Sequence, residues 1–249
     1  MHFKIALNAI NARINLLCEK PFALNVDPNR ILIEASRKMG ALLVEASIWT
    51  RFFPAITELQ SILHEKKVIG DISRVFVDFV LEMSLSKLPP ASRSADPALV
   101  AGVLLDIGVY TLTWADIILK GCLPEFEKCQ KPEALSSMSF CNGTDEITSI
   151  IMNYRDMNAE AICTSSYCYS SIGGIAGSNP EYLAIWKLGK GFFYEQDDVG
   201  EDAMAGRTES GIVLWQKMEN TMVLVESIRF ANGLNAIDCR ALARTNAYA

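Results

Sequence analysis

The sequence predicts a mixed α/β and α+β fold: a short parallel α/β unit at the N-terminus, followed by an α+β unit with a mostly antiparallel sheet. Helix-like and strand-like segments alternate over residues 1–54, whereas strand-like segments follow one another over residues 146–187. Alternation favours parallel strands joined by helices, and strands in succession favour antiparallel pairing. The expected domains are residues 1–54, with a returning helix at 214–235, and residues 55–213.

The N-terminal unit is predicted to contain two helices and two strands. Residues 3–12 have apolar side chains at helical spacing, and residues 13–18 form a short apolar strand. The next helix begins at Asp27-Pro28, because proline is tolerated in a first turn, and it ends at Gly40. Residues 41–46 form the second strand.

The second unit begins with a helix opened by Pro54, and an apolar helix over residues 215–232 follows the second unit and is expected to return to the N-terminal unit. Asn142-Gly143 predicts a two-residue hairpin turn rather than a glycosylation site. Between the two helices the sequence predicts a strand-rich segment, a polar loop, an apolar helix and three strands, at residues 68–81, 84–100, 101–120, 146–154, 159–169 and 182–187.

Composition excludes several classes of function. The 249 residues carry a net charge of −6 without a basic cluster, so a nucleic-acid partner is not expected. No apolar run predicts a membrane span and the N-terminus lacks a signal-peptide pattern, so we expect a cytoplasmic protein with no membrane partner. The 7 cysteines are scattered without the spacing of zinc ligands, which predicts reduced thiols and no metal site.

Lys20 lies at the carboxyl end of the first predicted strand and is followed by Pro21. In an open α/β sheet, ligands bind at the carboxyl ends of the strands, and a residue before proline has an extended backbone. Lys20 is therefore a candidate ligand-binding or catalytic residue. The alternative is a solvated lysine at a strand end, which the spacing alone favours.

The apolar helix at 101–120 carries two further candidates. Asp106 is the only charged residue between Val100 and Asp116, and it needs a partner because burying an unpaired charge is costly. Tyr110 follows four residues later and shares its helical face. With an ammonium group opposite, the two form a proton-transfer site, because a nearby cation lowers the pKa of a phenol. A carboxylate that caps neighbouring backbone, beside a core tyrosine, is an equally good interpretation.

Five ordered motifs carry a family resemblance: Glu19-Lys20-Pro21-Phe22-Ala23-Leu24-Asn25, Trp49-Thr50-Arg51-Phe52-Phe53-Pro54, Asp96-Pro97, Leu104-Leu105-Asp106-Ile107-Gly108-Val109-Tyr110 and Ala205-Gly206-Arg207-Thr208-Glu209-Ser210. By these motifs the chain resembles the glucose–fructose oxidoreductase/inositol dehydrogenase family (Gfo/Idh/MocA). Within it, the chain is similar to the dimeric dihydrodiol dehydrogenase and D-xylose 1-dehydrogenase branch. The resemblance is specific because the motifs extend over most of the chain in one order.

The resemblance implies an NAD(P)-dependent oxidoreductase that acts on a CH–OH group of a sugar or a cyclic trans-diol, with NADP or NAD as the cofactor. It implies that residues 1–54 are the last part of a Rossmann-like dinucleotide-binding domain and that residues 55–213 are a substrate domain. The family also forms dimers through the second sheet, which implies a homodimer through the strands around Ile150 and Ile162.

The family's functional residues correspond to particular positions of this sequence. The resemblance implies that Lys20 and Tyr110 are an acid/base pair and that Asp106 helps to place the substrate. It also implies a cis peptide bond between Lys20 and Pro21. The implied cofactor contacts are Glu19, Lys20, Pro21, Trp49 and Arg51, and the implied substrate contacts are Arg93, Asp106 and Tyr110.

The sequence also departs from the family's pattern. Full-length relatives begin with a strand, a G-x-G-x-x-G turn and a helix that hold the pyrophosphate, so we expect a truncated chain here. The run Gly173-Gly174-Ile175-Ala176-Gly177 leads into Ser178-Asn179-Pro180 and predicts a turn rather than a phosphate cradle. Ala101-Gly102-Val103 replaces the family's G-G-A and is expected to crowd the nicotinamide.

Three functions stay open from the sequence. The first is the NAD(P)-dependent dehydrogenase, which requires a nicotinamide held at a fixed distance and angle. The second is a lyase, isomerase, dehydratase or cyclase that needs no cofactor and moves protons with Lys20, Asp106 and Tyr110. The third is a non-catalytic subunit or truncated gene product, whose exposed sheet edge favours association.

Overall fold

A computed structural model of the chain describes residues 2–21, 23–121, 130–168 and 192–234. These residues contain six α-helices and six strands, and the strands form two sheets. The predicted strand at 182–187 and the glycine-rich run that begins at Gly173 lie outside the described residues.

The N-terminal sheet consists of two parallel strands, β1 (Leu16–Cys18) and β2 (Leu43–Glu45). Helix α1 (His2–Asn11) precedes β1, and helix α2 (Val26–Met39) connects β1 to β2. Gly40 ends α2 with a φ of 66°, a left-handed conformation that glycine adopts without steric cost. The parallel α/β unit predicted from the alternation of elements is therefore confirmed.

One apolar core holds this unit together. Six of its fully buried members come from the two helices and from the second strand with the residue before it: Ala6, Ile10, Leu32, Leu42, Leu43 and Val44. Burial of each large aliphatic side chain contributes roughly 1.5–3 kcal/mol. This packing fixes the carboxyl ends of β1 and β2 side by side, so that the segments following them, which carry Lys20 and Trp49, are neighbours.

A four-stranded sheet forms the second unit, in the order β3–β6–β5–β4. The pairs β4–β5 and β5–β6 are antiparallel, whereas β3 runs parallel to β6. The strands are β3 (Arg74–Glu82), β4 (Glu133–Cys141), β5 (Thr144–Tyr154) and β6 (Ala159–Cys168). The mostly antiparallel sheet predicted from the sequence is confirmed.

The β4–β5 hairpin turns at Asn142-Gly143, as the sequence predicts. Asn142 has a φ of 53° and Gly143 a φ of 84°, and a type I′ turn requires positive φ at both positions. Strand β4 itself is not predicted from the sequence. Its serine-rich composition contains no β-branched residue, so its strand propensity is low.

A long apolar helix packs on one face of this sheet. It begins with a π-helical turn, Leu104–Gly108, and continues as α4 (Val109–Lys120), which contacts β3 and β6. Contrary to the sequence expectation, the segment Pro97–Lys120 is long and apolar enough to cross a membrane, but 61% of its most apolar window is buried inside the protein. It is a core helix of the second unit.

Further helical segments connect and close the two units. A 3₁₀-helical segment, Ala46–Phe52, follows β2 and leads into α3 (Pro54–Gln60), which is extended by a π-helical turn, Ser61–Glu65. Helix α5 (Phe192–Met204) is not predicted from the sequence, because its acidic composition and internal glycine hide its short apolar stripe. Helix α6 (Trp215–Ala231) agrees with the predicted closing helix.

Helix α6 contributes to two cores. Trp215 and Met218 pack into the N-terminal core, whereas Val225 and Ile228 pack against the four-stranded sheet. The indole nitrogen of Trp215 donates a hydrogen bond to the carbonyl oxygen of Leu43 at 3.0 Å. The first half of α6 therefore packs on the parallel unit, and the second half packs on the sheet.

The predicted division into residues 1–54 and 55–213 stays a prediction. Val199 of α5 and Val213 pack into the N-terminal core although both fall within the predicted second domain. The N-terminal core therefore includes part of α5 in addition to the returning half of α6.

The sheet face opposite the long helix carries an apolar row that crosses all four strands. Leu135 pairs with Ile151, Ile151 pairs with Ile162, and Ile162 pairs with Phe76. The two ends of the row are the most exposed, Leu135 at 75% and Phe76 at 70%. Contiguous exposed apolar side chains of this kind are typical of an interaction surface.

Candidate active site

Lys20 follows the carboxyl end of β1 and reaches the long helix. Its Nζ lies 3.0 Å from Oδ1 of Asp106 and also donates to the main-chain oxygen of Asp106. The Lys20 side chain is only 14% exposed, so this pair interacts more strongly than a surface pair. The implied cis bond between Lys20 and Pro21 is wrong for this structure, since the described residues contain no cis peptide bond. A trans bond already brings the ammonium group to Asp106.

Asp106 lies in the π-helical turn and accepts hydrogen bonds from two sides. Its Oδ2 accepts from the Tyr167 hydroxyl at 2.7 Å, opposite Lys20, and the guanidinium of Arg93 lies 3.8 Å from Oδ1. Burial raises the pKa of Asp106, but the charge of Lys20, the hydrogen bonds from Tyr167 and Lys20, and the charge of Arg93 together lower it below its ordinary value. Asp106 is therefore ionised at neutral pH.

Gly108 lies where the first turn of the long helix faces β6, and a side chain there would crowd Leu104 on the same helix. A Cβ atom at Gly108 would lie 3.0 Å from Cδ1 of Leu104 and 3.5 Å from Oγ of Ser165. The π-helical turn around it widens the helix where Asp106 meets Tyr167, and such turns are frequent at functional sites.

Tyr110 faces the same ammonium group as Asp106. Its ring centroid lies 5.3 Å from Nζ of Lys20. Burial raises the pKa of Tyr110, and the polar indole N–H of Trp49 lowers it only in part. Three carboxylates raise it further: Glu19, Asp106 and Glu195. The expected lowering of this pKa by Lys20 is therefore wrong, and the neutral phenol is a proton donor.

The other predicted cofactor contacts surround Lys20. Glu19 accepts a hydrogen bond from the backbone N–H of Lys20 at 3.2 Å, and Pro21 follows directly. Trp49 reaches the site from the 3₁₀-helical segment after β2, where its indole influences the pKa of Tyr110. These residues therefore lie near the carboxyl ends of β1 and β2, but their contact with a cofactor stays a prediction.

Arg51 lies apart from this cluster. Its guanidinium is 3.9 Å from Oδ2 of Asp116. Asp116 lies roughly 15 Å further along the helix than Asp106, because each helical residue adds 1.5 Å. The Arg51 side chain is 9% exposed, and burial lowers its pKa. Asp116 and Tyr154 raise the pKa of Arg51, but by less than burial lowers it. The structure thus gives Arg51 an interior partner, and its role in cofactor binding stays a prediction.

Glu195, in the first turn of α5, is a site residue that the sequence reasoning missed. It is 2% exposed, and its Oε1 accepts no hydrogen bond from the described residues. Burial, reinforced by the charges of Glu19 and Glu45, raises the pKa of Glu195 to about 8. The only signal in the sequence is its position directly after three aromatic residues, which makes this helical turn apolar.

Tyr167 is the second missed residue. It is 2% exposed on the inward face of β6, and burial and the hydrogen bond to Asp106 raise its pKa. The period-two pattern of Ala159–Cys168 indicates that Tyr167 is buried, but it does not reveal the partner.

The arrangement is suited to proton transfer. An ammonium group, an ionised carboxylate and a neutral phenol meet beside the carboxyl end of β1, partly shielded from water. The described residues contain no group of three or more His, Cys, Asp or Glu side chains that could hold a metal ion.

Comparison of the sequence identifies relatives with named activities. D-xylose 1-dehydrogenase (NADP(+)) of Hypocrea jecorina is 25% identical over 99% of this chain and 73% of its own length. Trans-1,2-dihydrobenzene-1,2-diol dehydrogenase of Xenopus laevis is 33% identical over 67% of this chain and 46% of its own length. The chain thus spans less than half the length of the Xenopus relative. No protein-family model matches the chain.

The fold has a close counterpart among solved structures. Aldose–aldose oxidoreductase of Caulobacter crescentus superposes with a TM-score of 0.69 at 20% identity, over 92% of this chain and 73% of its own. At this identity the likeness concerns the fold alone, and it agrees with the ordered motifs and with the two relatives. The chain is therefore a homologue of D-xylose 1-dehydrogenase and the dihydrodiol dehydrogenases, and its fold is that of the Gfo/Idh/MocA oxidoreductases.

Proposed function

We propose that the protein is an NAD(P)-dependent oxidoreductase that acts on a CH–OH group of a sugar or a cyclic trans-diol. The observation that carries this proposal is the convergence of Lys20, Asp106 and Tyr110 beside the carboxyl end of β1. The named activities of the two relatives support the class of substrate.

The proton step uses Tyr110 and Lys20. In carbonyl reduction, the Tyr110 hydroxyl donates its proton to the forming alkoxide and is reprotonated by the Lys20 ammonium, and alcohol oxidation reverses both transfers. The raised pKa of Tyr110 favours the neutral phenol that this step needs. Asp106 orients Lys20, and Arg93, 84% exposed at the rim, approaches the substrate from outside. A bound nicotinamide supplies or accepts the hydride.

The described residues fit the nicotinamide end of NADP or NAD better than its pyrophosphate. Glu19, Lys20 and Trp49 lie near the carboxyl ends of two parallel strands, where nucleotides bind in open α/β sheets. The connections after these strands, residues 19–25 and 46–53, contain no glycine, so neither forms the glycine-rich turn that holds a pyrophosphate. Cofactor binding must therefore be measured separately from turnover.

The test is turnover of D-xylose and of trans-cyclohexane-1,2-diol with NADP or NAD, followed by the absorbance of the reduced cofactor. Lys20→Met and Tyr110→Phe are each expected to lower kcat about 10²–10⁴-fold, the range of general acid–base catalysis. Lys66→Met is the matched control, because Lys66 pairs with Glu58 on the surface at 2.7 Å.

Two results would contradict this proposal. One is turnover that persists undiminished in both Lys20→Met and Tyr110→Phe. The other is the absence of NADP and NAD binding in calorimetry of the unchanged protein. If that protein nevertheless exchanged a substrate C–H proton with deuterated water, and Lys20→Met did not, the cofactor-independent lyase or isomerase alternative would replace it.

We also propose a homodimer that forms through the exposed face of the four-stranded sheet. The row from Leu135 to Phe76 is self-complementary when a two-fold axis stacks two copies of the sheet. Ile151→Lys is expected to give monomers in analytical ultracentrifugation. Ile14→Lys is the control and should leave the dimer intact, because the Ile14 side chain is 55% exposed but lies outside the four-stranded sheet. A monomeric unchanged protein at micromolar concentration would contradict the proposal.

A cytoplasmic location is the last part of the proposal. Cys18, Cys141 and Cys163 are free thiols, which fits a reducing compartment. Cell fractionation of the tagged protein checks this, and recovery in the medium or the membrane fraction would contradict it.

A further inference from the structure

We propose that Asp145, at the tip of the β4–β5 hairpin, is a positioning residue that holds the first turn of the long helix and thereby Asp106. Its effect on turnover rests on the proposed function, whereas its effect on the position of Asp106 does not. Among the described residues no hydrogen bond joins Asp145 to Lys20 or Asp106, so it acts through the helix backbone.

The contacts of Asp145 are buried and directed at the helix start. The residue is 2% exposed, and its Oδ2 accepts hydrogen bonds from the backbone N–H of Leu104 at 2.8 Å and from the Thr148 hydroxyl at 3.4 Å. Its carboxylate also packs against Gly102, whose φ is 139°. A Cβ atom at Gly102 would overlap Oδ1 of Asp145 and lie 2.6 Å from its Cγ. The chain at Gly102 therefore leaves room for this carboxylate.

These contacts satisfy a need of the helix. The first N–H groups of a helix have no partner within it, and a buried one must find an acceptor. A carboxylate is the favoured acceptor, because the helix dipole is positive at this end. Leu104 precedes Asp106 by two residues, and the N–H of Asp106 donates to the carbonyl oxygen of Gly102 at 3.1 Å. Asp145 thus fixes two backbone positions that determine where Asp106 lies.

The residue before Asp145 holds a second part of the site. The Thr144 hydroxyl donates to the carbonyl oxygen of Ala95 at 2.9 Å, and Thr144 is 1% exposed. Ala95 follows Arg93 by two residues in the loop that approaches Asp106. Two consecutive residues of one hairpin tip therefore hold both segments that supply Asp106 and Arg93.

The charge of Asp145 allows a change in the position of Asp106 to be distinguished from the direct effect of removing that charge. Burial raises the pKa of Asp145, and the N–H of Leu104 and the charge of Arg229 on α6 lower it only in part. The charge of Asp145 in turn raises the pKa of Tyr167. Loss of a negative charge by itself lowers the pKa of neighbouring acids. A rise in the pKa of Asp106 after substitution of Asp145 would therefore report a change of position.

The test is a ¹³C NMR titration of the Asp106 carboxyl group in the full chain. Asp145→Ala is expected to raise the pKa of Asp106 by about 0.5–1, because its carboxylate loses alignment with Lys20 and Tyr167. Asp145→Asn keeps an oxygen that accepts from Leu104, so the pKa of Asp106 should stay the same or fall. Asp156→Asn, on the exposed turn after β5, is the control and should change nothing.

Several outcomes would overturn the proposal. An unchanged or lowered pKa of Asp106 in folded Asp145→Ala is one of them, and a rise in Asp145→Asn is another. If Asp145→Ala does not fold, Gly102→Ala takes its place, since the added methyl group displaces the carboxylate. Folded Gly102→Ala with an unchanged Asp106 titration would refute the positioning role as well.

The kinetic arm distinguishes this inference from the proposed function. With an active protein, Asp145→Ala is expected to lower kcat about 10–100-fold with KM changed less than about threefold, and Asp145→Asn restores kcat. A purely structural role would instead lower the fraction of folded protein and leave kcat per folded molecule unchanged, which would count against the inference. If the unchanged protein shows no turnover, the proposed function fails while the NMR result still decides the role of Asp145.

Discussion

The long helix carries two clusters with nearly the same residue types and different character. Near its start, Asp106 contacts Lys20 and Tyr167, and Tyr110 faces the ammonium group of Lys20. Near its end, Asp116 lies 3.3 Å from the ammonium group of Lys120 and 3.3 Å from the hydroxyl of Tyr154. Each cluster also includes an arginine. Residue content therefore does not distinguish a candidate active site from a structural ion cluster.

Connectivity and the exposure of the arginine do distinguish them. Lys20 comes from a position 86 residues away and ties the parallel unit to the helix, whereas Lys120 lies on the next turn of the same helix. Arg93 is 84% exposed at the first cluster, but Arg51 is 9% exposed at the second. The second cluster compensates buried charges locally. The first assembles groups from separate units and has an exposed arginine at its edge.

Replacing each of the two lysines with methionine gives the largest expected contrast in kcat and in the free energy of unfolding. Lys20→Met should lower kcat about 10²–10⁴-fold. Lys120→Met should keep kcat per folded molecule but lower the free energy of unfolding by about 2–4 kcal/mol, because it leaves a buried ion pair incomplete. Steady-state kinetics and urea denaturation measure the two quantities. A loss of kcat in Lys120→Met as large as that in Lys20→Met would erase the distinction between the clusters.

The two arginines should differ mainly in stability. Arg51→Met is expected to lower the free energy of unfolding by about 1–3 kcal/mol, since it removes a partner of a half-buried carboxylate. Arg93→Met should change it by less than about 0.5 kcal/mol and raise KM severalfold. Urea denaturation and substrate titration check this. Equal destabilisation by both changes would mean that Arg93 belongs to the interior as Arg51 does.

Glu195→Gln tests protonation beside the first cluster. The folded pKa of about 8 exceeds the ordinary value of 4.5, so the folded state binds an extra proton between these values and stability falls as pH rises through this window. Glutamine resembles the neutral acid and removes this decline. The variant should match the unchanged protein near pH 5 and exceed it by roughly 1–3 kcal/mol near pH 9. If Glu195→Gln and the unchanged protein gave the same denaturation curve as each other at both pH values, the burial of a protonated Glu195 near Glu19, Glu45 and Tyr110 would be contradicted.

A further small effect concerns Asp106 at acid pH. Its folded pKa lies below the ordinary 3.8, so it contributes stability above that value and loses the contribution as pH falls through the folded pKa. Asp106→Asn should lower the free energy of unfolding at pH 7 by about 1 kcal/mol or less, because solvent screens a side chain that is 24% exposed. The difference should vanish near pH 2. A constant difference between pH 7 and pH 2 would show that the effect is steric.

Local rules predicted much of the fold. Proline at a helix start, Gly40 at a helix end and Asn142-Gly143 at a hairpin act through a few dihedral angles, so sequence reasoning located each of these boundaries. The same rules failed for β4 and α5, since cross-strand pairing and tertiary packing outweigh weak intrinsic propensity there.

The candidate site was predictable only in part. The spacing of Asp106 and Tyr110 identified one helical face, and the resemblance added Lys20. Tyr167 and Asp145 stayed unrecognised, because their partners are 61 and 41 residues away in sequence. A composition or spacing pattern contains no information about which side chain of another strand a carboxylate will meet.

The two-sided packing of helix α6 has a consequence for the unfolding reaction. Trp215 and Met218 stabilise one core while Val225 and Ile228 stabilise the other, on a single continuous run of backbone hydrogen bonds. Neither half of the molecule can melt without uncovering apolar surface that belongs to its neighbour. Calorimetry should therefore record a single cooperative heat-absorption peak, and a chain cut before Trp215 should lose both halves together.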